Sequence, residues 1–355
     1  MGEVLRRYGP ALLAWGMLLW LRPSPAPGRR LVRLCVLGLA LSQTLLTPAA
    51  IHLTHAAGMG GVERLAGHLA MLLACWAGAQ LLLRLRGHQA GARANPIWAI
   101  TAGSVMTLLF ALTPDLYPRS PWVMEYCVAY AVALLPELLV IALLCLRERR
   151  AAPDRTLRLG LSLIIAGTLA AACYMASRTA VAVAARTSLD FSPGQGFALS
   201  KALPTAAHLL VLAGVTVPAA ATWLRRLRRY RRLRPLWLAL YQAEPAIALE
   251  PPGPLRAVAD LPTRLRLYRR VIEIRDGLLA IRPYRPTTRG QDDGRDHHAR
   301  EAFEIAAALR ARAAGERPRS DAFGTSGGHD LSSDTDYLCR LADAYRALTR
   351  ADRRR

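Results

Sequence analysis

Residues 199–237 read LSKALPTAAHLLVLAGVTVPAAATWLRRLRRYRRLRPLW. The apolar run from Leu199 to Leu224, interrupted by the single cation Lys201, passes directly into Arg225–Arg234, a segment with seven arginines, and then into Pro235, Leu236 and Trp237. About 20 apolar residues suffice to cross the hydrocarbon core of a bilayer, whereas a block of guanidinium groups is strongly disfavoured there. The stretch therefore predicts a final membrane span and the boundary at which the chain leaves the membrane. Before it, long apolar runs alternate with short arginine-bearing loops; after it no run is long enough to span, and Arg, Asp, Glu and Pro accumulate. The predicted fold class is all-α. It comprises a transmembrane helical bundle over residues 1–223, a basic amphipathic juxtamembrane helix over 224–236 and a small, mostly helical cytosolic domain over 237–355.

Composition fits that division. The chain of 355 residues is 53% hydrophobic yet carries a net charge of +22, a pairing foreign to a single soluble domain. Residues 224–355 hold 28 of the 47 basic and 17 of the 25 acidic side chains, and Lys201 is the sole lysine. The six cysteines, Cys35, Cys75, Cys127, Cys145, Cys173 and Cys339, show no metal-like spacing and read as small buried hydrophobes.

Seven candidate spans appear, at about 4–21, 31–51, 65–83, 96–113, 122–146, 157–184 and 199–223. The first is the shortest, with 14 uncharged residues from Tyr8 to Leu21, and it also fits a signal peptide with Arg6 and Arg7 as the basic head. Loop charge separates the two readings. With seven spans, the arginine-rich loops at 22–33, 84–95 and 147–158 share a side with the arginine-rich tail, while the opposite loops carry only Arg64, Arg119, Arg186 and Lys201. The positive-inside rule then puts the N-terminus outside and the C-terminus in the cytoplasm. Pro48, Pro136, Pro204 and Pro218 predict kinks.

In the basic segment Leu224, Leu227, Tyr230 and Leu233 recur every three residues among Arg225, Arg226, Arg228, Arg229, Arg231, Arg232 and Arg234. That pattern predicts a helix lying on the membrane surface, drawn to anionic headgroups, or simply a topology anchor. No nucleic-acid-binding module follows, so nucleic acid is not an expected partner. Beyond a turn at Pro245 and Pro251–Pro254, Leu261–Ile281 predicts an amphipathic helix with Leu265, Tyr268, Ile272, Arg275 and Leu279 on its apolar face, Thr263 as N-cap and Pro283 as stop. Helices are also predicted over Glu301–Ala313 and Asp336–Leu348. Disorder is predicted over 285–298, where His297 and His298 are expected to be solvated, and over 315–330.

Two segments, RLRPLWLALYQAEP (Arg232–Pro245) and RLYRRVIEIRDGLLAIRPY (Arg266–Tyr284), resemble a family of uncharacterised integral membrane proteins of high-GC Gram-positive bacteria. HLTHAAGMGGVERLAGHLAML (His52–Leu72) fits more loosely. The resemblance rests on Pro235, Leu236 and Trp237 and on Tyr268, Arg269, Arg270, Glu273, Arg275 and Asp276. It implies about seven spans plus a C-terminal domain of unknown function, in proteins labelled as transporters.

Motifs for metalloprotease, nucleotide-binding, hydrolase or kinase chemistry do not occur, so the sequence implies neither catalysis nor a cofactor. Polar residues inside spans are the remaining candidates. Glu137 falls roughly 21 Å into the fifth span at the helical rise per residue; Gln43 and His208 fall near the middle of spans two and seven, and Arg178 near the outer end of span six. Each is either an interhelical hydrogen-bonding group or part of a ligand or ion path. His52, His55 and His68, with Glu63, make a weak metal constellation. Glu273 and Asp276, among arginines, read as helix-surface ion pairs. Two function classes stay open: a membrane sensor or scaffold whose tail meets a cytosolic partner, and a small-solute or ion transporter. An odd span number, no internal repeat and one charged residue deep in the core favour the first.

Overall fold

The computed structural model describes residues 2–21, 26–113, 121–187, 193–248, 264–286, 297–318 and 330–352. Among them there is no strand. The helices are α1 (Gly2–Trp20), α2 (Pro27–Leu45), α3 (Pro48–Ala56), α4 (Val62–Leu85), α5 (Gln89–Leu112), α6 (Val123–Ala151), α7 (Arg155–Arg186), α8 (Pro193–Ala243), α9 (Arg264–Ala280), α10 (His297–Ala313) and α11 (Leu331–Asp352). Single 3-10 turns at Pro245–Ile247 and Arg282–Tyr284 follow α8 and α9. The chain forms two compact units, Met1–Ala219 and Ala220–Arg355, and the division falls inside α8.

In the first unit α4 is the central helix, packing against α2, α3, α5 and α6, while α6 also packs on α7 and α1 on α2. Small residues bring the backbones together where water cannot drive association. A Cβ on Gly38 of α2 would lie 2.6 Å from Ala70 O of α4. At the crossing of α7 and α8, a Cβ on Gly160 would lie 2.6 Å from Gly214 O, and one on Gly214 2.7 Å from Gly160 O. Each glycine is thus required by close approach. Large aliphatic side chains of α5, among them Ile97, Ile100 and Leu108, point out of the unit, as a lipid-facing helix requires.

Among the described residues five helices, α4 to α8, are long and apolar enough to cross a membrane, and the pair α2 plus α3 makes a sixth if counted as one span. α1 is not in that set; Glu3, Arg6 and Arg7 occupy its first turns. The kink expected at Pro48 is present, as a 66° bend between α2 and α3. The cause is local. Pro48 disfavours helical backbone in the residue before it, and Thr47 is extended (φ −75°, ψ 151°), its hydroxyl donating to Thr44 O at 2.7 Å and accepting from Ala50 N at 3.4 Å as the cap of α3. Pro136, by contrast, is accommodated inside an unbroken α6.

The second unit has its own core. Leu233, Leu236, Trp237 and Leu240 of α8 pack with Val271, Ile274 and Leu278 of α9, Ile305 of α10 and Leu338 and Leu341 of α11. Glycine again sets one spacing: a Cβ on Gly277 would meet Leu240 Cβ at 2.9 Å. The helices expected over 301–313 and 336–348 are present and longer. Three expectations are corrected. First, α9 buries the other of its two apolar stripes. Leu265, Tyr268, Ile272 and Leu279 are exposed, whereas Val271, Ile274, Leu278 and Ile281 are buried, and Gly277, on the buried side, lets α8 approach closely there. Second, the apolar edge of the basic segment is partly a core stripe; Leu233 is fully buried in this core, its stripe continuing through Leu236 and Leu240. Third, His297 and His298 begin α10 and are not disordered; His297 is exposed as expected, while the His298 ring meets Tyr337 edge-on at 5.0 Å. Thr263 and most of the two segments expected to be disordered, 287–296 and 319–329, lie outside the described residues.

Candidate functional site

The first unit has a partly open cavity of about 260 Å3 lined by residues of α2, α4, α6, α7 and α8. Its walls are mainly aliphatic and aromatic, with Ser42, Gln43, His68, Thr168 and His208 as polar interruptions; among the described residues no Arg, Lys, Asp or Glu lines it. Gln43 and His208, two of the intramembrane candidates, therefore share one cavity. His208 is buried, and its Nδ1 lies 2.6 Å from Pro204 O. A carbonyl only accepts, so Nδ1 carries the proton and Nε2 of the neutral ring is a bare acceptor. That Nε2 has no partner among the described residues, nor does the buried hydroxyl of Ser42. Ser42 was not singled out from the sequence, where one serine in an apolar run carries little signal.

The other candidates lie elsewhere. Glu137 is buried in α6 with Oε1 unpartnered, but it does not line the cavity, although its neighbours Leu134 and Leu138 do. Arg178 is exposed on α7. His52 and His55 sit exposed on α3, whereas His68 is on α4, with Nδ1 2.8 Å from the Tyr126 hydroxyl and its ring stacked on Tyr130 at 4.2 Å. Glu63, almost fully buried, accepts from Thr54 Oγ1 at 2.8 Å and Gly61 N at 2.9 Å, pinning the α3–α4 connection. No three His, Cys, Asp or Glu side chains among the described residues converge as a metal site would require.

In the second unit the two segments that carry the family resemblance touch each other. Trp237 Nε1 donates to Glu273 Oε2 at 2.8 Å, Arg269 Nε donates to Glu273 Oε1 at 3.1 Å, and Trp237 stacks on Tyr241 at 5.3 Å. The Arg270 guanidinium lies over the Trp237 ring at 3.8 Å and the Tyr230 ring at 4.4 Å, and donates to Tyr230 Oη at 2.7 Å. Burial pulls the basicity of Arg270 down, with Tyr230 and Glu273 acting against it. Glu273 is thus a buried acceptor at the centre of the unit and not the surface ion pair expected; Asp276 is exposed. Arg275 is paired with Asp334, its Nε 3.2 Å from Oδ2, and Tyr268 is exposed. Pro235 sits within α8 and is half-buried, while Leu236 is fully buried.

Two of the seven arginines are held by α11: Arg229 by Asp336 at 2.7 Å and Arg232 by Asp343 at 2.5 Å. Arg225 donates to Thr222 at 3.3 Å. Arg228, Arg231 and Arg234 are exposed and Arg226 half-exposed.

Residues 222–347 match a family of unknown function, DUF6545. The DUF6545 segment takes in the basic run, both resemblance segments and most of α11, so the match begins inside the helix that also lines the cavity. No curated protein and no solved structure matches the chain.

Proposed function

We propose that this chain is a non-catalytic membrane sensor, in which occupancy of the cavity is passed to the DUF6545 unit. One observation carries the reading: α8 is a single uninterrupted helix of 51 residues that supplies both Pro204, Ala207 and His208 to the cavity wall and Leu233, Leu236 and Trp237 to the tail core. A change in how α8 packs at the cavity is felt directly by residues on which the tail unit is built. The coupling is tested by hydrogen exchange on the full chain in nanodiscs. Filling the cavity with Ala171→Phe is expected to change exchange in α9 and α11; identical exchange there would reject the reading.

The proposal includes seven spans, with α1 and the bent α2–α3 pair completing the set, the N-terminus outside and the tail in the cytoplasm. It is supported by the distribution of arginine among the loops. A fluorescent protein fused after Leu348 is expected to fluoresce, whereas activity of an export-dependent reporter at that site would refute the orientation. Arg225, Arg226, Arg228, Arg231 and Arg234 would face anionic headgroups, and the exposed α9 stripe would meet a cytosolic protein.

A transporter is the second reading, favoured by the 66° break at Leu46–Pro48 beside cavity residues Gln43 and Leu46, since interrupted helices frame many transport sites. Uptake of a cavity-binding compound into proteoliposomes would favour it over the sensor.

A further inference from the structure

A cavity inside a membrane protein has two ready fillings, a lipid tail or a dedicated ligand, and its polar atoms discriminate between them. Most of the hydroxyls on these helices return to their own backbone: Thr44 to Ala40 O at 2.8 Å, Thr216 to Leu212 O at 2.6 Å, Thr107 to Gly103 O at 2.8 Å. Ser42, 1% exposed, does not; its Oγ has no partner among the described residues. His208, 7% exposed, spends Nδ1 on Pro204 O and leaves Nε2 as an unpartnered acceptor. A buried polar group left without a partner loses its hydration with nothing in return. Both unpartnered atoms belong to residues that line the same cavity, so an occupant of it can supply a partner.

An occupant that meets them donates to His208 Nε2 or accepts from the Ser42 hydroxyl. A hydroxyl has both capacities. A carboxylate or phosphate would meet the lone pair of Nε2 with no cation among the described lining residues, and an ammonium would find no carboxylate among them. The remainder of the wall, including Leu39, Leu134, Ile141 and Met175, calls for an apolar body. An apolar cavity of roughly 150 Å3 holds benzene; by proportion, about 260 Å3 holds a body of roughly ten heavy atoms.

We propose that the cavity is a binding site for a small, neutral, hydroxyl-bearing compound with an otherwise apolar body, its hydroxyl donating to His208 Nε2 or accepting from Ser42. The assignment deepens the sensor reading and rests on it for the consequence of binding, not for the binding itself.

The probe is 2-naphthol, with 2-methylnaphthalene as the partner of equal size that lacks the hydroxyl. Binding of each to the full chain in nanodiscs is measured against empty nanodiscs, which removes partition into lipid. The expected result is saturable binding with at least a roughly tenfold preference for 2-naphthol, as the loss of one hydrogen bond in a dry site implies. Ser42→Ala, a substitution that removes one oxygen and keeps the helix, reduces the preference, and His208→Leu brings it close to unity. Equal binding of the two probes would mean that the cavity takes any apolar body, lipid tails included, and would overturn the assignment; so would the absence of binding above empty nanodiscs. A preference for 2-naphthol without any change in tail exchange would leave the ligand class standing and reject the sensor reading instead.

Discussion

Trp237→Phe is expected to loosen the DUF6545 unit out of proportion to the atoms it removes. The indole Nε1 is one of the donors to the buried Glu273 carboxylate, at 2.8 Å, and the ring is the closer of the two faces that hold Arg270, at 3.8 Å. A hydrogen bond to a charged buried acceptor contributes about 1.5–3 kcal/mol, and a desolvated cation–π contact about 1–2 kcal/mol, part of which phenylalanine retains. Arg269 stays on the other carboxylate oxygen at 3.1 Å, which limits the loss. The net effect is about 3 kcal/mol, or roughly a hundredfold increase in the exchange of amides that open with the whole unit. Hydrogen exchange on the full chain in nanodiscs reads this locally. Amides of α9 and α11 are expected to exchange roughly a hundredfold faster while those of α4 to α7 do not change. An effect below threefold in α9 and α11 would refute the claim that the Trp237–Glu273–Arg270 cluster holds the unit together.

Gly214→Val should destabilise the membrane unit, because even a Cβ there would lie 2.7 Å from Gly160 O and 2.6 Å from Ile164 Cγ1; retained thermal stability in detergent would count against the close α7–α8 crossing. Burial pushes the Cys339 thiol from 9.0 up to about 11. The folded state therefore keeps a proton that the unfolded chain has lost, so stability falls as pH rises from about 9 to about 11. At pH 8 Cys339 should resist alkylation until the unit unfolds, which mass spectrometry of the labelled peptide would check. Arg232→Gln should cost less than about 1 kcal/mol despite the 2.5 Å contact with Asp343, because both side chains are well exposed; a loss several times larger in chemical denaturation would show that the pair is a keystone.

Much of the layout was legible in the sequence because hydropathy and charge act over long runs. Leu199–Leu224 followed by seven arginines can only be an apolar helix passing into a polar one, and the later helices follow from period and caps. What escaped were choices between near-equal alternatives. Two apolar stripes run along α9, and the one that is buried lies on the side where Gly277 lets α8 approach closely. The stripe at Leu227, Tyr230 and Leu233 fits a membrane surface and a protein core equally well until its continuation through Leu236 and Leu240 finds α9 and α11. Of the candidate site, Gln43 and His208 were visible as polar residues in apolar runs. That they share a cavity, and that Glu137 does not line it, depends on helix rotation, which periodicity does not fix in a helix apolar on all sides. Glu273 was misplaced on the surface because its partner, Trp237, is 36 residues away in sequence.

The account turns on α8 carrying a change at the cavity to the tail unit. Its most direct test is a four-glycine insertion between Ala220 and Ala221, which keeps both units and breaks the helix that they share. In the uninterrupted chain in nanodiscs, Ala171→Phe is expected to change hydrogen exchange in α9 and α11. In the insertion variant, the same substitution should leave α9 and α11 unaffected while their resting exchange stays as in the unmodified protein. A response that survives the insertion at full size, or that never occurs in the uninterrupted chain, would contradict the account.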